Sequence, residues 1–356
     1  MNTKKALIII PAYEPDNKLI DYCTSLIQAG FNKLLIVNDG SNKKCSAIFD
    51  TLGSMSECTI LNHAINLGKG RALKDAFNYF LNMSDLHEYC GVITADSDGQ
   101  HTVSDVLKLQ TELQTGKSEL ILGARDFNSS NVPPKSKFGN QLTCFVFRLL
   151  HGTKLKDTQT GLRAIPTDLV STYLDISGER FEYETNMLII TAMKQIPFCE
   201  IEIQTIYLNE NKGTHFNPIW DSIAIYKLLF STFIKYTLAS FSSFILDIAI
   251  FQFILMLTES FQDSIRIYIA TVAARILSSI YNFLINKNVV FQRKDSGSGM
   301  VIKYYILCII QMCCSAGLVF IFYRFLRIPE TVVKIIVDTM LFMVSYRIQK
   351  RFIFKK

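Results

Sequence analysis

Short apolar runs alternate with amphipathic segments over the first half of the chain. Apolar runs of strand length lie at residues 6–10, 33–37, 59–61, 91–94 and 119–122. Apolar residues at helical spacing occupy 17–28, 69–81 and 103–113. Strands that alternate with helices predict a mostly parallel sheet with helices on both faces. Residues 198–207 alternate apolar and polar side chains, which predicts a further strand that closes the far side of the sheet.

One further segment of the first half allows two interpretations. Residues 133–150 begin with Lys135 and Lys137 and continue as an apolar run. A helix here could pack into the core, or it could lie as an amphipathic helix on the surface of a bilayer. Both interpretations stay open at the level of the sequence.

The second half of the chain is much more apolar than the first. Long apolar segments follow Trp220 at about residues 233–257, 267–285, 304–323 and 332–346. The first three approach or exceed the ~20 residues that cross a bilayer, whereas the fourth is shorter and interrupted. The pattern predicts an α/β domain over residues 1–230 and an all-α transmembrane domain of four helices over residues 231–356.

The distribution of lysine and arginine predicts the orientation in the membrane. Cationic residues follow the second segment (Lys287, Arg293, Lys294, Lys303) and the fourth (Arg347, Lys350, Arg351, Lys355, Lys356). Cationic loops favour the cytoplasmic side. We therefore expect an even number of crossings, with the α/β domain and both termini in the cytoplasm, and with the plasma membrane as the location in a prokaryote.

Charged residues also occur inside the apolar segments, namely Asp247, Arg275, Lys334 and Asp338. Each would cost about 2.5–3.5 kcal/mol if it faced lipid, so each must pair, reach the interface or line a polar path. Pairing within the protein and contact with a phosphate headgroup are both open.

Composition excludes some classes of partner. The net charge is a modest +6, and the first half has no basic run interleaved with aromatic residues, so nucleic acid is not an expected partner. The nine cysteines form no CxxC pair, which fits reduced thiols in the cytosol. Pro11 ends the first apolar run too early for a signal peptide, so this run is a first strand.

Two carboxylates follow the predicted strand 91–94. Asp96 and Asp98 are separated by one residue, and Gln100 comes two residues later. The carboxyl ends of parallel strands are where α/β proteins bind ligands. Two carboxylates and an amide oxygen make an all-oxygen site that suits Mg²⁺ or Mn²⁺ bound together with a diphosphate. A nucleotide is therefore the expected ligand.

Two other clusters fit the same chemistry but are individually weak. Asp39 and Gly40 follow the second predicted strand, where a carboxylate could meet a ribose or a base. Lys69 and Arg71 precede a helix whose amino terminus could bind a diphosphate. Taken alone, the first is usually only a turn, and the second is usually a solvated helix start.

Six motifs occur in the order found in family 2 glycosyltransferases of the GT-A fold. They are Pro11-Ala12-Tyr13-Glu14, Asn38-Asp39-Gly40-Ser41, Asn66-Leu67-Gly68-Lys69-Gly70-Arg71, Asp96-Ser97-Asp98-Gly99-Gln100, Gly123-Ala124-Arg125 and Asp157-Thr158-Gln159-Thr160-Gly161-Leu162-Arg163. From residue 5 to about residue 230 the chain most resembles the polyprenyl-phosphate branch, the dolichyl-phosphate mannose synthase-like enzymes. Residues 233–356 resemble GtrA-like four-helix membrane proteins, through Asp247 and the stretch 282–287.

The resemblance implies a role for each motif. On the donor side, Asp96, Asp98 and Gln100 would hold Mg²⁺ or Mn²⁺, and the residues that would bind the nucleotide are Pro11, Ala12, Tyr13, Glu14, Asp39, Lys69, Arg71, Asp96 and His215. On the acceptor side, the lipid phosphate would be received by Arg125, Lys135, Lys137 and Gln159. The catalytic residues would be Asp98, Asp157 and Arg125. Glu182 or Glu184 is a weaker candidate for the sugar side, and for Glu182 a role in the first turn of a helix is favoured.

The reaction implied by the resemblance needs no strong base. A polyprenyl phosphate is already an anion near neutral pH, so it could displace the nucleoside diphosphate in one inverting step. UDP-glucose or UDP-N-acetylglucosamine is the favoured donor and GDP-mannose is the alternative. The acceptor would be undecaprenyl phosphate in a bacterium, and the product would serve cell-envelope glycosylation. The lipid bilayer is a further partner, and a homo-oligomer is a further expectation.

Other functions are compatible with part of the pattern. A processive polysaccharide synthase is disfavoured because the chain has no Gln-x-x-Arg-Trp motif and Trp220 is its only tryptophan. A glycoside hydrolase needs its two carboxylates on opposite sides of the sugar, not on one loop. A non-enzymatic regulator or scaffold of a lipid-linked sugar translocator is the remaining alternative. The membrane domain could be an anchor or could help charged lipids to cross the bilayer.

Overall fold

The computed structural model describes residues 4–127, 134–204, 220–260, 262–293, 298–326 and 330–354. By its internal contacts the chain divides into two units, Met1–Leu229 and Phe230–Lys356. Each unit is described by itself.

A mixed sheet organises the first unit. Its strands are β1 Lys5–Ala12, β2 Leu34–Asn38, β3 Cys58–Asn62, β4 Tyr89–Thr94, β5 Leu120–Arg125, β6 Arg163–Pro166 and β7 Phe198–Ile203. Their order across the sheet is β3-β2-β1-β4-β6-β5-β7. All neighbours are parallel except β6, which runs antiparallel to both β4 and β5.

Helices cover both faces of this sheet, as the alternating pattern predicts. They are α1 Lys18–Gln28, α2 Ser46–Gly53, α3 Lys69–Leu81, α4 Val103–Leu113, α5 Pro134–His151, α6 Thr167–Leu174 and α7 Glu182–Met193. The mostly parallel α/β architecture is confirmed. The sequence pattern predicts β1 to β5, β7, α1, α3, α4 and α5, and the favoured role of Glu182 indicates the start of α7. It does not predict β6, α2 or α6.

The central position of β1 explains its sequence. All residues from Ala6 to Ala12 are buried because helices cover both faces of this strand. Strands β3, β2, β1, β4 and β5 end at the same edge of the sheet, and the antiparallel β6 begins there. The loops that follow β1, β2, β4 and β5 and the loop that precedes β6 therefore meet at one edge.

Helix α5 has two apolar faces. Val146, Phe147 and Leu150 are buried, whereas Phe138 and Phe145 are 68% and 62% exposed. One face therefore packs into the core, and the other presents aromatic side chains to the surroundings. The structure shows the core contact that the sequence left open.

The second unit is helical. Its helices are α8 Trp220–Leu257, which begins within the first unit, α9 Asp263–Ile285, α10 Ser298–Leu326 and α11 Glu330–Ile348. Within the described residues, three helical stretches are long and apolar enough to cross a membrane: Ile225–Leu257, Ile269–Val290 and Gly299–Val319. The expected fourth segment does form a helix, α11, but this helix does not meet the same criterion.

The charged residues of the apolar segments have partners. Ser278 donates a hydrogen bond of 2.7 Å to Asp247, and Arg275 lies 3.8 Å from the same carboxylate. In α11, Lys334 lies 2.9 Å from Asp338, one helical turn away. Each of these four charges therefore has an oppositely charged neighbour in the same unit.

Helices α9 and α11 end in the same way. Each continues into a π-helical turn, Asn286–Val290 after α9 and Gln349–Ile353 after α11. The side chains of the first residues of the two turns are hydrogen-bonded at 3.2 Å. Phe291 and Phe354, which directly follow the turns, stack with ring centroids 5.0 Å apart.

In chain order the helices form two pairs, α8–α9 and α10–α11. Hydrogen bonds join one pair to the other. Gln349, after α11, donates to the Tyr236 hydroxyl of α8 at 3.0 Å. The Tyr304 hydroxyl of α10 donates to Asn282 of α9 at 3.0 Å. The first helix of each pair is thus bonded to the second helix of the other pair, so α8–α9 and α10–α11 form a repeated, crossed arrangement.

Candidate active site

The acidic motif lies in the loop that follows β4. The Thr94 hydroxyl at the end of β4 donates to the carbonyl of Gly161 at 2.8 Å, which fixes this loop against the segment that leads into β6. The fit is close, because a Cβ atom built on Gly161 would lie 2.4 Å from an oxygen of Asp96. A larger residue at position 161 would displace the Asp96 carboxylate.

The carboxylate of Asp96 contacts two basic side chains. Lys69 Nζ lies 2.6 Å from Asp96 Oδ1, and His101 Nε2 lies 3.1 Å from Asp96 Oδ2. Burial acts to raise the pKa of Asp96, but the Lys69 ammonium and His101 outweigh burial and lower the pKa. Asp96 is therefore an anion at neutral pH.

Asp98 differs from Asp96 in its surroundings. Its Oδ1 accepts a hydrogen bond of 3.0 Å from the backbone N–H of Gln100. Burial, followed by the charge of Asp96, raises the pKa of Asp98. The carboxylates of Asp96 and Asp98 thus repel each other in the loop that follows β4.

This donor set fits a divalent ion. A bound cation would offset the repulsion that raises the pKa of Asp98, and carboxylate oxygens are the ligands that Mg²⁺ and Mn²⁺ prefer. Gln100 is held beside the pair by its backbone bond to Asp98. Asp96, Asp98 and Gln100 are therefore suitable residues to hold such an ion.

A second acidic cluster has a simpler explanation. Over the part of the chain that the structure describes, Glu112, Glu119 and Cys199 are the one group of three potential metal ligands found among histidine, cysteine and acidic residues. Lys117 lies 2.8 Å from Glu112 and 3.7 Å from Glu119. A lysine therefore already balances this group, which lies around the last turn of α4.

The cations at the start of α3 are paired with carboxylates. Besides Asp96, Lys69 Nζ lies 3.0 Å from Glu184 Oε1 of α7. Arg71 Nε lies 2.7 Å from Glu179, which comes just before α7. Burial acts to lower the pKa of Lys69, but Asp96 and Glu184 outweigh burial and raise the pKa.

The Asp39 carboxylate forms hydrogen bonds with the loop that leads into α3. The carboxylate is buried, and its two oxygens accept hydrogen bonds from the backbone N–H groups of Leu67 and Gly68 at 2.9 and 2.8 Å. His63 Nδ1 lies 2.7 Å from the same carboxylate. Gly68 has a φ of 101°, which favours glycine at the position before α3. Asp39 therefore shapes the loop that precedes Lys69.

The residues from Pro11 to Glu14 leave β1 at the same edge. Ala12 pairs with Asn38 at the end of β2. The N–H of Glu14 donates to the Ser41 hydroxyl at 2.9 Å, and Glu14 has a φ of 48°, which is uncommon for a residue other than glycine. Such a conformation is held by its neighbours and is frequent at ligand sites.

Arg125 and Asp157 form a bidentate pair. Arg125 Nε donates to Asp157 Oδ2 at 2.7 Å, and Nη2 donates to Oδ1 at 3.1 Å. Asp157 is 0% exposed, whereas the side chain of Arg125 is 24% exposed. The N–H of Gln159 also donates to Asp157, at 2.9 Å. Asp157 thus holds Arg125 in a fixed orientation at the end of β5, where the guanidinium also lies over the ring of Phe127, 5.0 Å from its centroid.

Some sequence predictions lie outside the described residues. These are His215 and the side chain of Lys135. Lys137 lies in the first turn of α5 and is partly exposed.

Other residues of the site were assigned weakly or missed by the sequence analysis. Glu182 accepts hydrogen bonds from the N–H groups of Glu179 and Arg180, which agrees with the favoured role at the start of a helix. Glu184, a weak candidate, contacts Lys69. His63 was missed, since a single histidine after a strand carries no signal of its own.

Family models match both parts of the chain. Residues 7–170 match the model of glycosyl transferase family 2, and residues 223–354 match the model of the GtrA/DPMS transmembrane domain. The chain is a family 2 glycosyltransferase with a GtrA/DPMS transmembrane domain. The predicted family and the prediction of an enzyme are therefore confirmed.

Relatives of this glycosyltransferase include enzymes of the dolichyl-phosphate type. The UDP-N-acetylglucosamine–dolichyl-phosphate N-acetylglucosaminyltransferase of Methanococcus voltae is 26% identical over 250 residues, which is 64% of this chain and 96% of that protein. The dolichyl-phosphate beta-glucosyltransferase of Homo sapiens is 23% identical over 258 residues, 66% of this chain and 76% of that protein.

A similar solved structure is glucosyl-3-phosphoglycerate synthase from Mycobacterium tuberculosis, in complex with Mn²⁺, UDP and glucosyl-3-phosphoglycerate. It is 15% identical, with a TM-score of 0.47, over 64% of this chain and 79% of that one.

Proposed function

We propose that this glycosyltransferase moves a sugar from a nucleotide sugar to a polyprenyl phosphate at the inner face of the membrane. The observation that supports this proposal is that one sheet edge brings together a pair of carboxylates suited to a divalent ion and an arginine of fixed orientation. Asp96 and Asp98 supply the first, and Arg125 on its Asp157 support supplies the second. The product, a polyprenyl-phosphate sugar, serves cell-envelope glycosylation in this proposal.

The donor binds on the side of the acidic motif. Asp96, Asp98 and Gln100 would hold Mg²⁺ or Mn²⁺, which when bound would supply positive charge to stabilise the departing diphosphate. The loops after β1 and β2 are in place for the nucleoside, since they meet beside Asp39. Lys69 lies next to Asp96, where its ammonium can also reach the diphosphate.

The acceptor binds on the side of Arg125. A phosphate monoester has a second pKa of about 6, so it is an anion that attacks without a general base. Its approach to a negatively charged donor requires cations. Arg125 is held in a fixed orientation by two hydrogen bonds, so it can orient the phosphate for a single inverting displacement. Lys137 is a second cation near the start of α5.

One relative supports a UDP-linked donor, since the Methanococcus voltae enzyme is named for transfer of N-acetylglucosamine from its UDP derivative to dolichyl phosphate. The human relative is named for beta-glucosyl transfer to dolichyl phosphate. UDP-N-acetylglucosamine and UDP-glucose are therefore the first donors to test, ahead of GDP-mannose. In a bacterium the matching acceptor is undecaprenyl phosphate.

The membrane domain keeps the enzyme beside its acceptor. The positive residues after α9 and α11 favour a cytoplasmic position for these ends, and α11 completes an even number of crossings in this proposal. A membrane-bound catalytic domain searches a surface for its lipid, which raises the effective concentration of the acceptor. Anchoring is enough to explain the fusion.

The experiment offers the purified full chain a short polyprenyl phosphate, Mn²⁺ or Mg²⁺, and one labelled nucleotide sugar at a time. We expect one UDP-sugar to give a labelled lipid, and we expect removal of the metal with a chelator to abolish the product. Asp98→Asn should lose at least a hundredfold in rate. Asp21→Asn, which changes an exposed carboxylate of α1, is the matched control and should behave as wild type. Absence of any labelled lipid with all three donors would contradict the proposal.

A further inference from the structure

The ammonium of Lys69 is shared between two carboxylates. It lies 2.6 Å from Asp96 Oδ1 and 3.0 Å from Glu184 Oε1. The contact is shielded from water, since the side chains of Lys69 and Glu184 are 17% and 11% exposed. At this depth a unit charge interacts with its neighbours far more strongly than on the surface.

The backbone fixes Glu184 at this position. The N–H of Arg71 donates to the carbonyl of Glu179 at 3.0 Å, so the first turn of α3 is bonded to the segment that enters α7. The helices also approach closely, because a Cβ atom on Gly70 would lie 2.6 Å from Cβ of Tyr183. Lys69 and Glu184 are direct neighbours of these two contact residues. Glu184 is therefore aimed at Lys69 by the packing of the two helices.

The charges around Lys69 are suited to a divalent ion. Two carboxyl groups, those of Asp96 and Glu184, contact the single ammonium of Lys69, and Asp98 adds a third carboxyl group two residues beyond Asp96. This excess of acidic groups suits the binding of a cation. Without Glu184, Lys69 and a bound ion would both depend on Asp96.

We propose that Glu184 is a positioning residue that holds Lys69, so that Asp96 can bind a divalent ion while the ammonium stays beside the donor diphosphate. This inference rests on the proposed function, because that function requires the ion and the diphosphate. Glu184 does not touch the ion or the sugar in this scheme. It acts only through Lys69, and this feature separates it from a metal ligand.

A double-mutant cycle on manganese binding tests the inference without an activity assay. Mn²⁺ is titrated into the full chain without nucleotide, and free Mn²⁺ is measured by electron paramagnetic resonance. Glu184→Gln should weaken binding on the order of tenfold, because Lys69 then competes with the ion for Asp96. In a Lys69→Met background the same substitution should change the affinity less than twofold. Glu184→Asp, which keeps the charge, should retain most of the affinity.

The matched control is Glu112→Gln, which removes the carboxylate that pairs with Lys117; Glu112 lies in the last turn of α4. Its manganese affinity should equal that of wild type. Wild-type affinity in Glu184→Gln, or an equal loss with and without Lys69, would overturn the inference alone. If the wild-type protein binds no manganese, or binds it no more tightly than Asp98→Asn does, the proposed function is refuted and this inference with it. If Glu184→Gln does not fold, Glu184→Asp decides, since a complete loss of affinity in that variant contradicts a role through charge.

Discussion

Replacing Asp157 with asparagine removes an anionic oxygen from the buried pair with Arg125. Oδ1 accepts from Arg125 Nη2 and from the N–H of Gln159, and Oδ2 accepts from Arg125 Nε. Whichever oxygen becomes the NH₂ group of asparagine would face a donor instead of an acceptor. The substitution therefore breaks at least one charged hydrogen bond and removes the negative charge of Asp157 from beside the guanidinium.

The structure sets the size of this effect. A hydrogen bond to a charged group contributes about 1.5–3 kcal/mol, and loss of one partner of a buried pair costs about 3–5 kcal/mol. Because 24% of the Arg125 side chain is exposed, water compensates part of the loss. We expect a destabilisation of about 3 kcal/mol, which corresponds to a fall of roughly 6–12 °C in the melting temperature of a unit of this size.

The assay uses the cysteines of the first unit. Cys23, Cys45 and Cys58 are buried, so a thiol-reactive fluorophore reports their exposure when this unit melts. In the transfer assay Asp157→Asn should raise the KM for polyprenyl phosphate more than the KM for the donor, since Arg125 loses its fixed orientation. Asp168→Asn, which changes a carboxylate bonded to Ser118, is the control.

A melting temperature within 1 °C of wild type, together with unchanged kinetics, would refute the reasoning about Asp157.

Arg125→Lys separates the effect of the positive charge from the effect of the guanidinium geometry. A lysine keeps the positive charge but cannot make the two parallel bonds, so acceptor use should fall although the charge is retained.

Three further substitutions test other contacts. Gly161→Ala should displace Asp96 and weaken manganese binding by at least tenfold, because the new Cβ atom would lie 2.4 Å from a carboxylate oxygen; unchanged affinity would contradict this fit. His63→Ala should raise the KM for the donor severalfold with little change in the KM for the lipid, since it loosens the loop before α3, and equal changes in both constants would argue against this role. Tyr304→Phe should lower the stability of the membrane domain by about 1 kcal/mol through loss of its bond to Asn282, as measured by the melting temperature in detergent, and an unchanged melting temperature would contradict this.

The sequence predicted the sheet edge that carries the site, because this prediction needs only the ends of strands. Strands β1, β2 and β4 are short apolar runs, and polar motifs follow each of them. Strand β6 could not be predicted, since it has only four residues and begins with Arg163. Arg163 is buried because its guanidinium donates to the carbonyls of Thr160 and Glu184, and no periodicity reveals such contacts.

The pairing between motifs was also beyond the sequence. Arg125 and Asp157 are separated by more than thirty residues along the chain, and Lys69 and Glu184 are separated by more than a hundred. Their contacts depend on the antiparallel β6, which the pattern did not predict, and on α7, for which the sequence indicated only a helix start at Glu182. Helix α7 buries polar and apolar residues on several sides, so it has no amphipathic period.

The crossed bonds of the membrane unit have a consequence for biosynthesis. Tyr236 of α8 obtains its partner Gln349 only after α11 has left the ribosome, close to the end of the chain. During synthesis the Tyr236 hydroxyl therefore lacks this partner until the last helix has been made, which makes the unfinished membrane domain less stable than the complete one. A chain that stops after α10 should accordingly be degraded faster than the full-length protein in a pulse-chase experiment. Equal lifetimes would show that each pair is self-sufficient.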